Sequence, residues 1–115
     1  MTNIAQHATN KRNKVTVLSD GSKPFSSDFD NKCKFDIYRF DQIKFLRKRI
    51  KLSFAQNFLK QNNVDIIFFD SWKSLELFDH STDTKKICLA HGNEILKLSD
   101  KNRIINSLNK ADLLI

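Results

Sequence analysis

The chain has 115 residues and a mass of 13.4 kDa, enough for one compact core but near the lower limit for a parallel sheet covered on both faces. Its 40% hydrophobic content, with ten Phe, two Gly and one Pro, excludes a disordered or fibrous chain. The formal net charge of +7 is compatible with a polyanionic partner (nucleic acid, an anionic membrane surface or a phosphorylated ligand) and also with a Lys-rich chain that is basic for no functional reason.

The longest aliphatic and aromatic run, residues 66–69 (IIFF), is far shorter than a bilayer span, and the first residues, MTNIAQHATNKRNK, are too polar for a signal peptide. A cytoplasmic chain is expected. Cys33 and Cys88 have no C-x-x-C spacing, and Cys88 lies in an apolar run, so both are expected as reduced thiols.

In chain order, residues 14–21 (KVTVLSDG) predict a β-branched strand ending in a turn. The polar, Ser-rich residues 22–32 with Pro24 predict a loop. Residues 35–40 (FDIYRF) alternate as a half-exposed or edge strand does. From residue 42 to 61 the period changes, and Ile43, Leu46, Ile50, Phe54 and Phe58 form one helical stripe. Lys44, Arg47, Lys48 and Lys51 lie on a neighbouring face of that helix, in a stretch with no acidic residue between Asp41 and Asp65. The pattern is an amphipathic helix with a basic flank, suited to anionic lipid headgroups or simply to solvent.

Residues 62–72 (NNVDIIFFDSW) predict a continuous apolar strand of the kind expected at the centre of a parallel sheet. A short helix follows in SWKSLELFDHS, then a loop, then a second buried strand in KICLAHG with a helix starting at Asn93 and Glu94. The last residues predict a helix carrying Ile104, Ile105 and Leu108 and a further strand at Leu113. Alternating strands and helices imply an α/β, Rossmann-like parallel sheet flanked by helices. Ligands of such sheets bind outside the carboxyl ends of the strands. Three polar groups fall there: Ser19 with Asp20 and Gly21, Asp70 with Ser71 and Trp72, and His91 with Gly92, Asn93 and Glu94.

In their order and spacing, the segments NKVTVLSDG, FAQNFLKQNNVDIIFFDSW, KKICLAHGNEIL and NKADLLI resemble the N-terminal domain of family 4 glycosyltransferases of the GT-B fold. The resemblance covers nearly all of residues 1–115. It implies a retaining transferase that moves a sugar from a nucleotide-sugar co-substrate to an acceptor glycan or lipid-linked sugar, in glycan, lipid or polysaccharide biosynthesis. No metal or other cofactor is implied. Of the H-G-x-E segment, the resemblance makes His91 the candidate catalytic residue at the cleft, with Gly92 turning the backbone and Glu94 orienting the loop. Asp20, Gly21, Asp70, Ser71, Trp72 and Asn93 line the substrate side. It also suggests a peripheral position at the inner face of a membrane, through Lys44, Arg47, Lys48 and Lys51.

Two family features are missing: the first strand with its glycine-rich loop, and the C-terminal domain that binds the donor. MTNIAQHATNKRN matches the tail of the helix after that strand. The expectation is therefore a fragment, inactive by itself, in which two half-sheets have unpaired edges. Without the family context, the default reading of His91 is a strand-end histidine with a structural hydrogen bond; Trp72 reads as packing against a neighbouring helix rather than stacking on a sugar, Asp70 and Ser71 as caps of the next turn, and His7 and His80 as surface residues. A metal site from His80, His91 and Glu94 has no recognised ligand spacing behind it. The alternatives from other classes are a basic nucleic-acid-binding module and a regulatory α/β domain. The first lacks a helix-turn-helix partner or aromatic platform, and the second lacks the acidic pair of a receiver domain.

Overall fold

The computed structural model describes residues 2–21, 27–78 and 83–115. Pro24 and His80 lie outside these residues. The chain divides into two compact units, Met1–Phe58 and Leu59–Ile115.

The first unit opens with helix α1 (Thr2–Asn10), which ends where Arg12 adopts a positive φ of 65°. Strand β1 (Thr16–Asp20), helix α2 (Ser27–Lys32), strand β2 (Asp36–Phe40) and the start of helix α3 (Lys44–Gln61) follow. β1 and β2 are parallel, with Thr16 opposite Asp36 and Asp20 opposite Phe40. β2 alternates in exposure as its sequence implies, and its last residue, Phe40, is buried. Phe54 of α3 packs on Tyr38 and Phe40 with ring centroids 4.8 and 5.5 Å away.

Helix α2 corrects the expected loop over its second half. Asp28 and Asp30 in its first turn suit the positive end of the helix dipole. Asp30 then receives a two-pronged bond from Arg39, Nε to Oδ2 at 2.9 Å and Nη2 to Oδ1 at 2.8 Å, which ties the helix to β2.

Helix α3 also departs from its expected pattern. Phe54 and Phe58 are half-buried, but Ile43, Leu46 and Ile50 of the same stripe are 70, 45 and 40% exposed. Length explains the split. An eighteen-residue helix is about 27 Å long, whereas the five-residue strands are about 17 Å. Arg47 and Lys51 already reach Asp20, the last residue of β1, so the residues before them project past the strand ends.

The second unit holds β3 (Ile66–Phe69), α4 (Trp72–Glu76), β4 (Lys85–Cys88), α5 (Gly92–Ile95), a 3-10 turn at Leu98–Asp100, α6 (Lys101–Leu108) and β5 (Leu113–Leu114). Its three strands are parallel in the order β3-β4-β5, with Phe69 opposite Cys88 and Cys88 opposite Leu114. α4 packs on α6, and Trp72, Leu75, Phe78, Cys88, Ile104 and Ser107 fill the core beside Phe69. The buried Ser107 hydroxyl is satisfied by the Arg103 carbonyl at 2.7 Å. Arg103 holds both carboxylate oxygens of Glu76, at 2.8 and 3.0 Å, across the two helices. Asp112 seats β5: its backbone N–H donates to the Lys86 carbonyl at 2.8 Å, and its Oδ2 accepts the Lys86 N–H at 2.7 Å.

The expectation of a central, doubly covered β3 is corrected. Among the described residues β3 pairs with β4 alone, and its side chains alternate, with Ile66 48% and Phe68 37% exposed while Phe69 is buried. An apolar run without alternation fills both faces of a strand, but each face is buried only where another layer covers it. The chain is thus α/β with small parallel sheets flanked by helices, in two ladders rather than one, and β1 pairs with β2 alone among the described residues.

Candidate functional site

Parallel pairing carries β3 and β4 to the same carboxyl rim of the second unit, where the Leu89 N–H donates to the Phe69 carbonyl at 3.0 Å. Asp70 and Ser71 leave β3 there, and His91 to Glu94 leave β4 two residues later. Ser71 stands at the N-cap of α4 in an extended conformation, and its carbonyl accepts the Ser74 N–H at 3.1 Å. Asp70 Oδ1 accepts the Ser74 hydroxyl at 2.6 Å, which fixes the carboxylate over the first turn of α4.

His91 is exposed and is the N-cap of α5 through its backbone, its carbonyl accepting the Glu94 N–H at 2.9 Å. Its imidazole makes no capping bond. Helix α5 begins at Gly92, one residue before the expected start at Asn93. The tight backbone turn ascribed to Gly92 is corrected as well. Gly92 has no positive φ, and a Cβ there would meet nothing within 4 Å. Glu94 Oε1 faces Lys73 Nζ at 3.9 Å, while Oε2 is buried without a hydrogen-bond partner. Lys73 went unselected in the sequence; a cation in the helix directly after a strand-end carboxylate was the available signal.

Trp72 is 1% exposed, a core residue beneath this rim, with the cations of Arg103 and Lys73 at 5.5 and 5.7 Å from its ring. Cys88 is fully buried next to the rim; burial pushes its thiol pKa up, and the nearby charges of Asp70 and Glu94 add to that. A thiol so placed stays protonated and unreactive. The rim therefore offers an exposed imidazole, able to donate and accept, beside two carboxylates and one ammonium. Groups of these types are able to hydrogen-bond a hydroxyl-bearing ligand. Among the described residues no group of three or more His, Cys, Asp or Glu is arranged to hold a metal ion.

Asp20 and Gly21 belong to the first unit. Gly21 has a φ of 115°, which lets its N–H donate to the Phe40 carbonyl at 3.0 Å where the chain leaves β1. Asp20 is engaged by two cations, Lys51 Nζ at 2.7 Å and Arg47 Nε at 3.3 Å. This pairing engages Arg47 and Lys51 of the expected basic patch, whose other members, Lys44 and Lys48, are exposed. No helix among the described residues is long and apolar enough to cross a membrane. Compared with family models, with curated proteins and with solved structures, the chain has no significant match.

Proposed function

We propose that the chain is the acceptor-side part of a retaining glycosyltransferase of the GT-B type, working with a donor-binding domain outside these residues. The observation that carries the reading is the shared carboxyl rim of β3 and β4, from which Asp70 and Ser71 leave one strand and His91 to Glu94 follow the other, with Glu94 3.9 Å from Lys73.

In this reading the His91 imidazole donates a hydrogen bond to a hydroxyl of the transferred sugar or to an oxygen of the leaving phosphate, offsetting charge that develops there. Asp70 and Glu94 accept from acceptor hydroxyls, and the chain needs no metal of its own. The nucleotide sugar enters as co-substrate, with the donor domain as its main binding site.

The test is amide chemical-shift mapping of the chain against a panel of oligosaccharides and lipid-linked sugars. Shifts confined to residues 70–72 and 91–94, weakened about three- to tenfold in His91→Ala without a change in melting, are the expected result. A panel without effect on the rim would overturn the reading. Turnover of a nucleotide sugar by these 115 residues alone would refute the assignment of the donor site to another domain.

A further inference from the structure

Three ion pairs that fasten one element to another close to hydrogen-bonding contact: Arg39 meets Asp30 at 2.8 Å, Lys51 meets Asp20 at 2.7 Å and Arg103 meets Glu76 at 2.8 Å. Lys73 and Glu94 stop short of it. Lys73 Nζ is 3.9 Å from Glu94 Oε1, too far for a hydrogen bond, and Glu94 Oε2 is buried and accepts none. The Lys73 ammonium donates none among the described residues. The pair of similar length, Lys86 with Asp112 at 3.8 Å, differs in that its carboxylate already accepts a backbone N–H at 2.7 Å. Lys73 nevertheless has a fixed place: its ammonium lies 5.7 Å from the centre of the Trp72 ring, which is sealed in the core. The side chain is 51% exposed. A donor-only cation and an acceptor-only anion thus stand side by side at the rim with hydrogen-bonding capacity unused.

We infer that Lys73 and Glu94 form a clamp for two hydroxyls on neighbouring carbons of the ligand, which makes Lys73 a specificity-determining residue of this rim. One hydroxyl accepts from the ammonium, and its neighbour donates to the carboxylate. The inference rests on the reading of the rim as a sugar-binding site and adds a residue to it, because Lys73 lies one position beyond the segment that carries the resemblance. Charge selects this occupant. A phosphate at Lys73 would lie against the Glu94 carboxylate, and a cation at Glu94 would lie against the ammonium. A neutral diol suits both groups, since it offers an acceptor to one and a donor to the other. Removing either hydroxyl leaves a charged group without its partner, and sites of that kind discriminate strongly.

The experiment titrates the full chain with the methyl pyranosides of gluco, galacto and manno configuration and with their singly deoxygenated analogues, read by the amide shifts of residues 70–73 and 91–94. For the configuration that binds best, loss of either of two adjacent hydroxyls is expected to weaken binding about ten- to hundredfold, and loss of any other less than about threefold. Lys73→Met should abolish the penalty at one of the two positions, Glu94→Gln should reduce it at the other, and Lys73→Arg should keep part of the first. A pair with a structural role alone would weaken every analogue alike and leave the penalties in place. Circular dichroism melts check that the variants fold as the parent does; should Glu94→Gln fail to fold, Lys73→Met, at a half-exposed side chain, decides alone.

Penalties that persist in Lys73→Met, or the absence of two adjacent sensitive positions, would overturn the clamp and leave the sugar reading standing. A single sensitive position, lost in both variants, would mean one bridging hydroxyl and overturn the diol. No amide shift with any pyranoside would overturn the clamp together with the reading on which it rests.

Discussion

Two glycines sit at two strand ends and are needed for different reasons. Gly21 holds a φ of 115°, a region other residues enter only with strain, and its N–H is bound to Phe40. Gly21→Ala should therefore destabilise the first unit by roughly 1–3 kcal/mol. Gly92 has open space around its Cβ position and an ordinary backbone, so Gly92→Ala should be neutral or stabilising by up to about 1 kcal/mol. Urea denaturation of the two variants checks both signs. The sequence showed both glycines after apolar strands and made them look alike, because backbone dihedrals are not written in residue identity. His91 and Asp70 were legible for the opposite reason: the end of an apolar run is a local signal, and parallel pairing then makes such ends meet.

At the scale of elements, the strand and helix periods were readable because each arises from a single backbone geometry. The errors lie where a neighbour decides. Helix α2 depends on the Asp30–Arg39 fork, which joins residues nine apart. The covered face of β3 depends on what α4 and α6 reach, and the burial of α3 depends on how short β1 and β2 are. The pairing of β4 with β5 gives a pH dependence. Lys86 N–H, and its ammonium at 3.8 Å, hold the Asp112 carboxyl below the usual carboxylate range. A carboxyl depressed on folding contributes stability above the ordinary carboxylate range, and that contribution is lost as pH falls through its lower folded pKa. Asp112→Asn should accordingly lower the stability of the second unit at neutral pH and flatten its decline in acid. Urea midpoints measured from neutral pH down through the carboxylate range test this, and an unchanged acid slope would count against it.

For the whole molecule, the core is thin. Each unit numbers fewer than sixty residues, and each sheet keeps an edge strand, β1 or β3, with one partner among the described residues. Units of that size leave a large part of their surface in water, and their stability is marginal. A thermal melt followed by circular dichroism should show a broad transition at low temperature. A steep, cooperative melt of the 115-residue chain would mean that the two ladders need nothing further. The sequence by itself determined the alternation of strand and helix, the polar residues at the strand ends and the excess of cations, because these follow from local period and composition. Only the tertiary structure decided that Asp20 pairs with Arg47 and Lys51, that Trp72 is sealed in the core, and that Phe45, Leu46 and Ile50 stay outside. Burial and ion pairing belong to residues distant in the chain, and their outcome depends on how far each element extends beyond the one it packs against.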